Sequence, residues 1–195
     1  MSINCLCGFT SHYNLSTNEE DNLVKEFSFK NSKLFGQGVP EEGFATSSAI
    51  LIKRDLETDP QSIIKINLIS DSGKEKQGTT FYEFTPTEIE KIAPKYFQLA
   101  DLATDFVESV YKNNYQEAYK LVSIDADQNR FNSIVTEIKS GLENDYVDTR
   151  IVSFEEYNGG YRVYGGVYTE NEVLDLFVMH FKDTGSGLKI VGFEF

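Results

Sequence analysis

The sequence predicts an α+β chain: a β-rich N-terminal region, then helices, then an antiparallel sheet. Three observations lead there. Several short runs before residue 85 alternate with period two in β-branched and aromatic residues. Apolar residues at the spacing of one helical face then run from Leu99 to Leu142, and four β-type runs with turn-length connections fill Val147 to Phe195. This pattern divides the chain into a β-rich region at 1–94, with an irregular arm at 1–25, and a helix-then-sheet domain at 95–195.

Taken in order, the arm is polar and carries the acidic patch Glu19-Glu20-Asp21. Strands are expected at Glu26–Lys30, with Phe27 and Phe29 on one face, and at Ser48–Arg54. Two more are expected at Ser62–Ile69, where Ile64, Ile66 and Leu68 share a face, and at Thr79–Phe84. Asp71-Ser72-Gly73 has the composition of a hairpin turn between the last two. Thr85-Pro86-Thr87-Glu88 carries a helix start: a capping threonine, a proline at the first helical position, and a glutamate able to reach back to the cap. Pro94 is expected to interrupt that helix and mark the boundary between the halves.

The helical part begins again at Leu99, with Leu102, Ala103, Phe106, Val107 and Val110 on one face, and is expected to end near Asn113-Asn114. Tyr115, Ala118, Tyr119 and Val122 predict a second short helix. Asp125 and Gln128 suggest a capping box before a longer one, whose stripe is Phe131, Ile134, Val135, Ile138 and Leu142. Strands follow at Val147–Tyr157, Gly160–Thr169, Val173–Asp183 and Leu188–Phe195. Connections this short require neighbouring strands to run antiparallel. The nearly continuous apolar run Leu174–Met179 predicts a central strand covered on both faces.

This order of elements, with the segment Phe106-Val-Glu-Ser-Val-Tyr-Lys-Asn-Asn-Tyr-Gln-Glu-Ala-Tyr-Lys-Leu-Val-Ser123, resembles the small bacterial members of the nuclear-transport-factor-2-like (cystatin-like α+β) superfamily. The resemblance covers residues 95–195, about half the chain. It implies a cone in which a curved sheet wraps the helices and leaves an open end, and homodimers formed through the sheet. Enzymes of this superfamily, such as ketosteroid isomerase and scytalone dehydratase, use Asp, His and Tyr groups inside the cone. Fold alone does not assign function.

With 40% hydrophobic residues, fifteen Phe and eleven Tyr, the chain has the means to bury a core. Its net charge of −13 divides into −5 for residues 1–94 (9 basic, 14 acidic) and −8 for 95–195 (9 basic, 17 acidic), so neither half offers a basic face for a phosphate backbone. Nucleic acid is not an expected partner. No run is long and apolar enough for a membrane span, and the start lacks a basic then apolar leader, so a cytoplasmic location is expected. The alternative is an exported lipoprotein whose signal is missing, although Asn4 suits the position before a lipidated Cys5 poorly. Cys5, Cys7 and His12 fall one ligand short of a closed zinc site, and two cysteines two residues apart on a strand make a strained disulfide. No metal or cofactor is expected.

Candidate chemistry is sparse. Asp175 and His180 are the acid and the histidine of the expected central strand, but their odd separation puts them on opposite faces, so no catalytic dyad is expected. No phosphate-binding glycine loop or nucleophile elbow is present. The tyrosines form two groups, Tyr111, Tyr115 and Tyr119 near the break between the first helices, and Tyr161, Tyr164 and Tyr168 near one hairpin. Tyrosine supplies rigid amphipathic contact area, and with His180 these are the candidate ligand- or partner-binding residues. The favoured reading is a non-catalytic binding module that engages a protein or a small apolar ligand through a cone mouth and a tyrosine-rich surface. Two readings stay open: an immunity-type acidic inhibitor covering a basic toxin, and a small-molecule isomerase or dehydratase.

Overall fold

The structure, a computed structural model, describes residues 8–12, 23–55, 61–70, 78–141, 146–169 and 174–195. Cys5, Cys7, the acidic patch at 19–21, the turn at 71–73, Leu142 and the connection at 170–172 lie outside the described residues. The architecture is α+β, and the chain forms two compact units, residues 1–96 and 97–195.

In the first unit, four strands pair in the order β1 (Gly8–His12), β2 (Val24–Lys30), β3 (Ile63–Ser70), β4 (Gly78–Phe84). β1 corrects the expectation of an arm without regular structure: residues 8–12 pair antiparallel with β2, Phe9 opposite Phe29. β2 and β3 run parallel, and β3 and β4 antiparallel. Phe27 and Phe29, and across from them Ile64, Ile66 and Leu68, are buried, as period-two alternation requires.

A parallel pair needs a crossover, and the crossover is the helix α1 (Glu41–Asp55). Here the strand expected at Ser48–Arg54 is corrected. Phe44, Ala45, Ser48, Ala49 and Ile52 are all buried, a three- and four-residue recurrence, and Ile50 is buried too. The Ile50–Ile52 alternation is therefore a fragment of a helix buried on more than one side. Glu41 and Glu42 in the first turn, and Lys53 and Arg54 in the last, complement the helix dipole. α1 packs on β3 and β4, and Phe44 meets Phe29 edge to face at 5.1 Å.

Thr85 and Glu88 form the expected reciprocal box. The Thr85 N–H donates to Glu88 Oε2 at 2.7 Å, and the Glu88 N–H to Thr85 Oγ1 at 3.3 Å. The helix that starts there, α2 (Pro86–Tyr111), runs through Pro94 without interruption. Pro94 and Glu90 are both exposed, so the helical hydrogen bond that proline cannot donate is lost on the solvent side of the helix.

In the second unit, α2 turns Leu99, Ala103, Phe106, Val107 and Val110 inward. It stops where Asn113 adopts a left-handed conformation, φ 57°. α3 (Tyr115–Leu121) and α4 (Gln128–Gly141) follow. The cap of α4 is Asp127 rather than Asp125: its Oδ1 accepts the Arg130 N–H at 2.9 Å, the separation that an N-cap side chain reaches.

Strands β5 (Tyr146–Tyr157), β6 (Gly160–Thr169), β7 (Leu174–Asp183) and β8 (Leu188–Glu194) form an antiparallel meander in that order. Asn158 and Gly159, both at positive φ, make the two-residue turn that sets the β5–β6 register. Phe193 on β8 packs on Phe106 at 4.9 Å and on Phe131 at 6.5 Å, which identifies the helix-covered face. On β7, Phe177, Met179 and Phe181 are buried on this face, while Leu176, Val178 and His180 opposite are half-buried. The strand is central but not covered equally on both faces, because its apolar run supplies a core on one side and a partly open surface on the other.

Candidate functional site

Strand register decides where the candidate residues go. Opposite Arg162 stand Glu155 on β5 and His180 on β7; opposite Tyr164 stand Ser153 and Val178; opposite Tyr168 stand Asp148 and Leu174. Tyr164, Tyr168 and His180 therefore share the outer face, away from the helices. Tyr161, one residue out of step and opposite Phe181, lies on the inner face. Asp175, opposite Val167, is also on the inner face, so Asp175 and His180 point apart. The irregularity near His180 sits on β8, where Gly192 and Ile190 pair with His180 and Phe181, and leaves the alternation of β7 intact.

The outer face carries residues that the sequence reading did not single out: Arg150, Arg162 and Tyr157. The Arg162 guanidinium lies 3.5 Å from the Tyr157 ring centroid, and that of Arg150 lies 4.3 Å from the Tyr168 centroid. Arg162 Nη1 donates to Glu155 Oε1 at 3.3 Å and to Tyr164 Oη at 3.2 Å, and Tyr164 Oη donates to the same Glu155 oxygen at 3.0 Å. Arg150 Nε donates to Asp148 Oδ2 at 3.0 Å. Tyr157 also meets His180, centroids 6.1 Å apart. The result is two Arg–Tyr pairs, each tied to a carboxylate, on neighbouring strands. Hydrogen bonding to Tyr164 holds the Arg162 guanidinium above its ordinary value, and burial raises the Tyr164 and Tyr168 phenols. Shifts in these directions leave the Arg162 guanidinium charged and both phenols neutral at neutral pH. The side chains remain reachable: Tyr157 is 40% exposed, and the side chains of Arg150 and Arg162 are 29% and 23% exposed.

A usable signal existed. The Asn158-Gly159 turn fixes Glu155 opposite Arg162, and period two from there puts Arg162, Tyr164 and Tyr168 on one face. The partnership of Arg150 with Tyr168 was harder to see, because the irregularity between Ile151 and Ser153 shifts β5 by one residue.

The first group of tyrosines separates. Tyr111 packs on Tyr146 of β5, centroids 5.2 Å apart. Its hydroxyl is buried with no hydrogen-bond partner among the described residues. Burial, reinforced by the charge of Asp175, pushes its phenol up to about 12. Such a phenol stays protonated at neutral pH and is a hydrogen-bond donor rather than a base. Tyr115 Oη donates to Asn113 Oδ1 at 3.2 Å, and Tyr119 Oη donates to the Ala126 carbonyl at 2.9 Å while its ring packs on Phe131. Both have structural partners in the helical layer. Among the described residues no three His, Cys, Asp or Glu side chains cluster as a metal site, and no helix is long and apolar enough to cross a membrane.

No protein-family description matches the chain, and no curated protein matches it. One solved structure similar to it is that of a Campylobacter jejuni protein, named as a candidate nuclear-transport-factor-2-like transpeptidase. The match covers 47% of this chain and 95% of that one, at 14% identity and a TM-score of 0.40. Likeness at that level assigns no activity to this chain.

Proposed function

We propose that residues 97–195 form a non-catalytic binding module whose contact surface for a protein partner is the outer face of β5–β8. The observation that carries this reading is the pair of Arg–Tyr stacks, Arg150 on Tyr168 and Arg162 on Tyr157, held on adjacent strands and partly open. Tyr and Arg are enriched at the centres of protein interfaces because they combine large contact area with hydrogen bonding. Stacking and the carboxylate contacts hold these side chains in place, so binding freezes little additional motion. On the inner face, by contrast, rings of the chain itself meet: Phe106 and Phe131 pack on Phe193, and Phe177 sits against Gly165. That arrangement supports a protein partner over an apolar ligand held among the helices.

The test is capture of a partner by the intact protein from extract of its source cells, in parallel with Arg150→Ala and Arg162→Ala. Each substitution removes a stacking cation without touching the core. The expected result is a specific captured protein whose yield falls about tenfold or more with either variant, as for loss of an interface anchor. Equal yield with wild type and both variants contradicts the proposal. Capture of a basic protein that fades steeply with added salt, while resisting both substitutions, favours the acidic-inhibitor reading instead.

A further inference from the structure

The first unit has a groove of about 310 Å³ at the carboxyl ends of its parallel strands, where β2 ends at Lys30 and β3 at Ser70. Crevices at that end of parallel strands are recurrent ligand sites, since the connecting loops there splay apart and leave polar groups around an apolar floor. Here the loop from β2 to α1 supplies Lys33 and Phe35, the first turn of α1 supplies Glu41, β3 supplies Leu68 and Ile69, and β4 supplies Thr80. Leu68 is buried, and Phe35 is steadied edge to face on Phe44 at 5.5 Å.

The charges are the informative part. Lys33 and Glu41 line one groove, yet neither forms an ion pair or hydrogen bond with the other or with any described residue. Two opposite, unpaired charges lining one groove beside Phe35 and Leu68 complement a small molecule bearing both charges and an apolar group. A phosphate ligand fits poorly, because Glu41 and Glu42 occupy the helix start where an anion would sit. The volume lies at the lower end of ligand pockets, about 300–1,000 Å³, which suits a molecule the size of an amino acid rather than a nucleotide.

We propose that this groove binds a free α-amino acid with an apolar side chain, its carboxylate on Lys33, its ammonium on Glu41 and its side chain on Phe35 and Leu68. This site is independent of the outer face of β5–β8, so either proposal can fail alone.

The experiment is a titration of the ¹⁵N-labelled full chain with L-leucine, L-isoleucine, L-methionine and L-phenylalanine. Two further arms use 4-methylpentanoate, which lacks the ammonium group, and 3-methylbutylamine, which lacks the carboxylate. At least one amino acid is expected to give saturable shifts at the amides of Lys33, Phe35, Glu41, Ile69 and Thr80. Each single-charge analogue should bind roughly tenfold or more weakly, as expected for loss of a charge-assisted contact. Lys33→Gln and Glu41→Gln, both at side chains with no described partner, should keep the fold's amide spectrum and lose the same factor. No saturable shift with any of the four amino acids overturns the proposal. So does equal binding of the analogues, or binding indifferent to both substitutions.

Discussion

Tyr111 shows how far one side chain departs from its behaviour in water when its hydroxyl is buried beside another aromatic and near a carboxylate. Its phenol titrates at about 12 in the fold against 10.0 when free, so the folded state favours the protonated form. The associated stability is complete below pH 10 and is lost as pH rises through about 12. Denaturant unfolding followed by circular dichroism should therefore show Tyr111→Phe gaining on wild type between those values, with a constant difference at lower pH. Near neutrality the variant should match wild type or exceed it by up to about 1 kcal/mol, because it removes a buried hydroxyl without a described partner. Gly165 makes the opposite case. A Cβ there would stand 2.2 Å from Cζ of Phe177, whose ring lies on the Gly165 backbone across the β6–β7 pair. Gly165→Ala should cost about 1–3 kcal/mol by overpacking, read as a lower denaturant midpoint.

Individual elements were legible where their cues were local. The Thr85–Glu88 box, the Asn113 stop, the Asn158-Gly159 turn and all four C-terminal strands follow from residues within a few positions of each other. Elements whose identity depends on tertiary surroundings were not. α1 reads as a strand because a helix buried on several sides loses the one-sided stripe that identifies helices, and the parallel β2–β3 pairing that demands a crossover is invisible locally. Pro94 reads as a break because the tolerance of a helix for proline depends on whether the lost hydrogen bond falls on the solvent side. These assignments make opposed predictions for one helix. Thr85→Ala removes a cap and should lower stability by about 1 kcal/mol. Pro94→Ala restores a helical donor at an exposed site and should raise the melting temperature; a fall would mean that Pro94 has a role in packing.

At the scale of the whole molecule, two α+β units are built on different logics. The first carries a helix between parallel strands, and the second stacks helices on one face of a meander. The register of β5–β8 puts Tyr164, Tyr168 and His180 on one face with two arginines, and Tyr161 on the other. The candidate site was thus half visible: residue type marked the tyrosines, and cross-strand pairing, which spans the turn and a bulge, supplied their partners. The outer face of β5–β8 is proposed to meet another protein. The most direct test places a photo-activated cross-linking residue at Tyr157 or Val178 on that face, and at Thr136 on the exposed side of α4 as control. One discrete adduct with a single partner is expected from Tyr157 and Val178, lost when Arg150→Ala and Arg162→Ala are combined, and none from Thr136. Adducts from Thr136 alone, or from all three positions alike, would contradict the proposed contact.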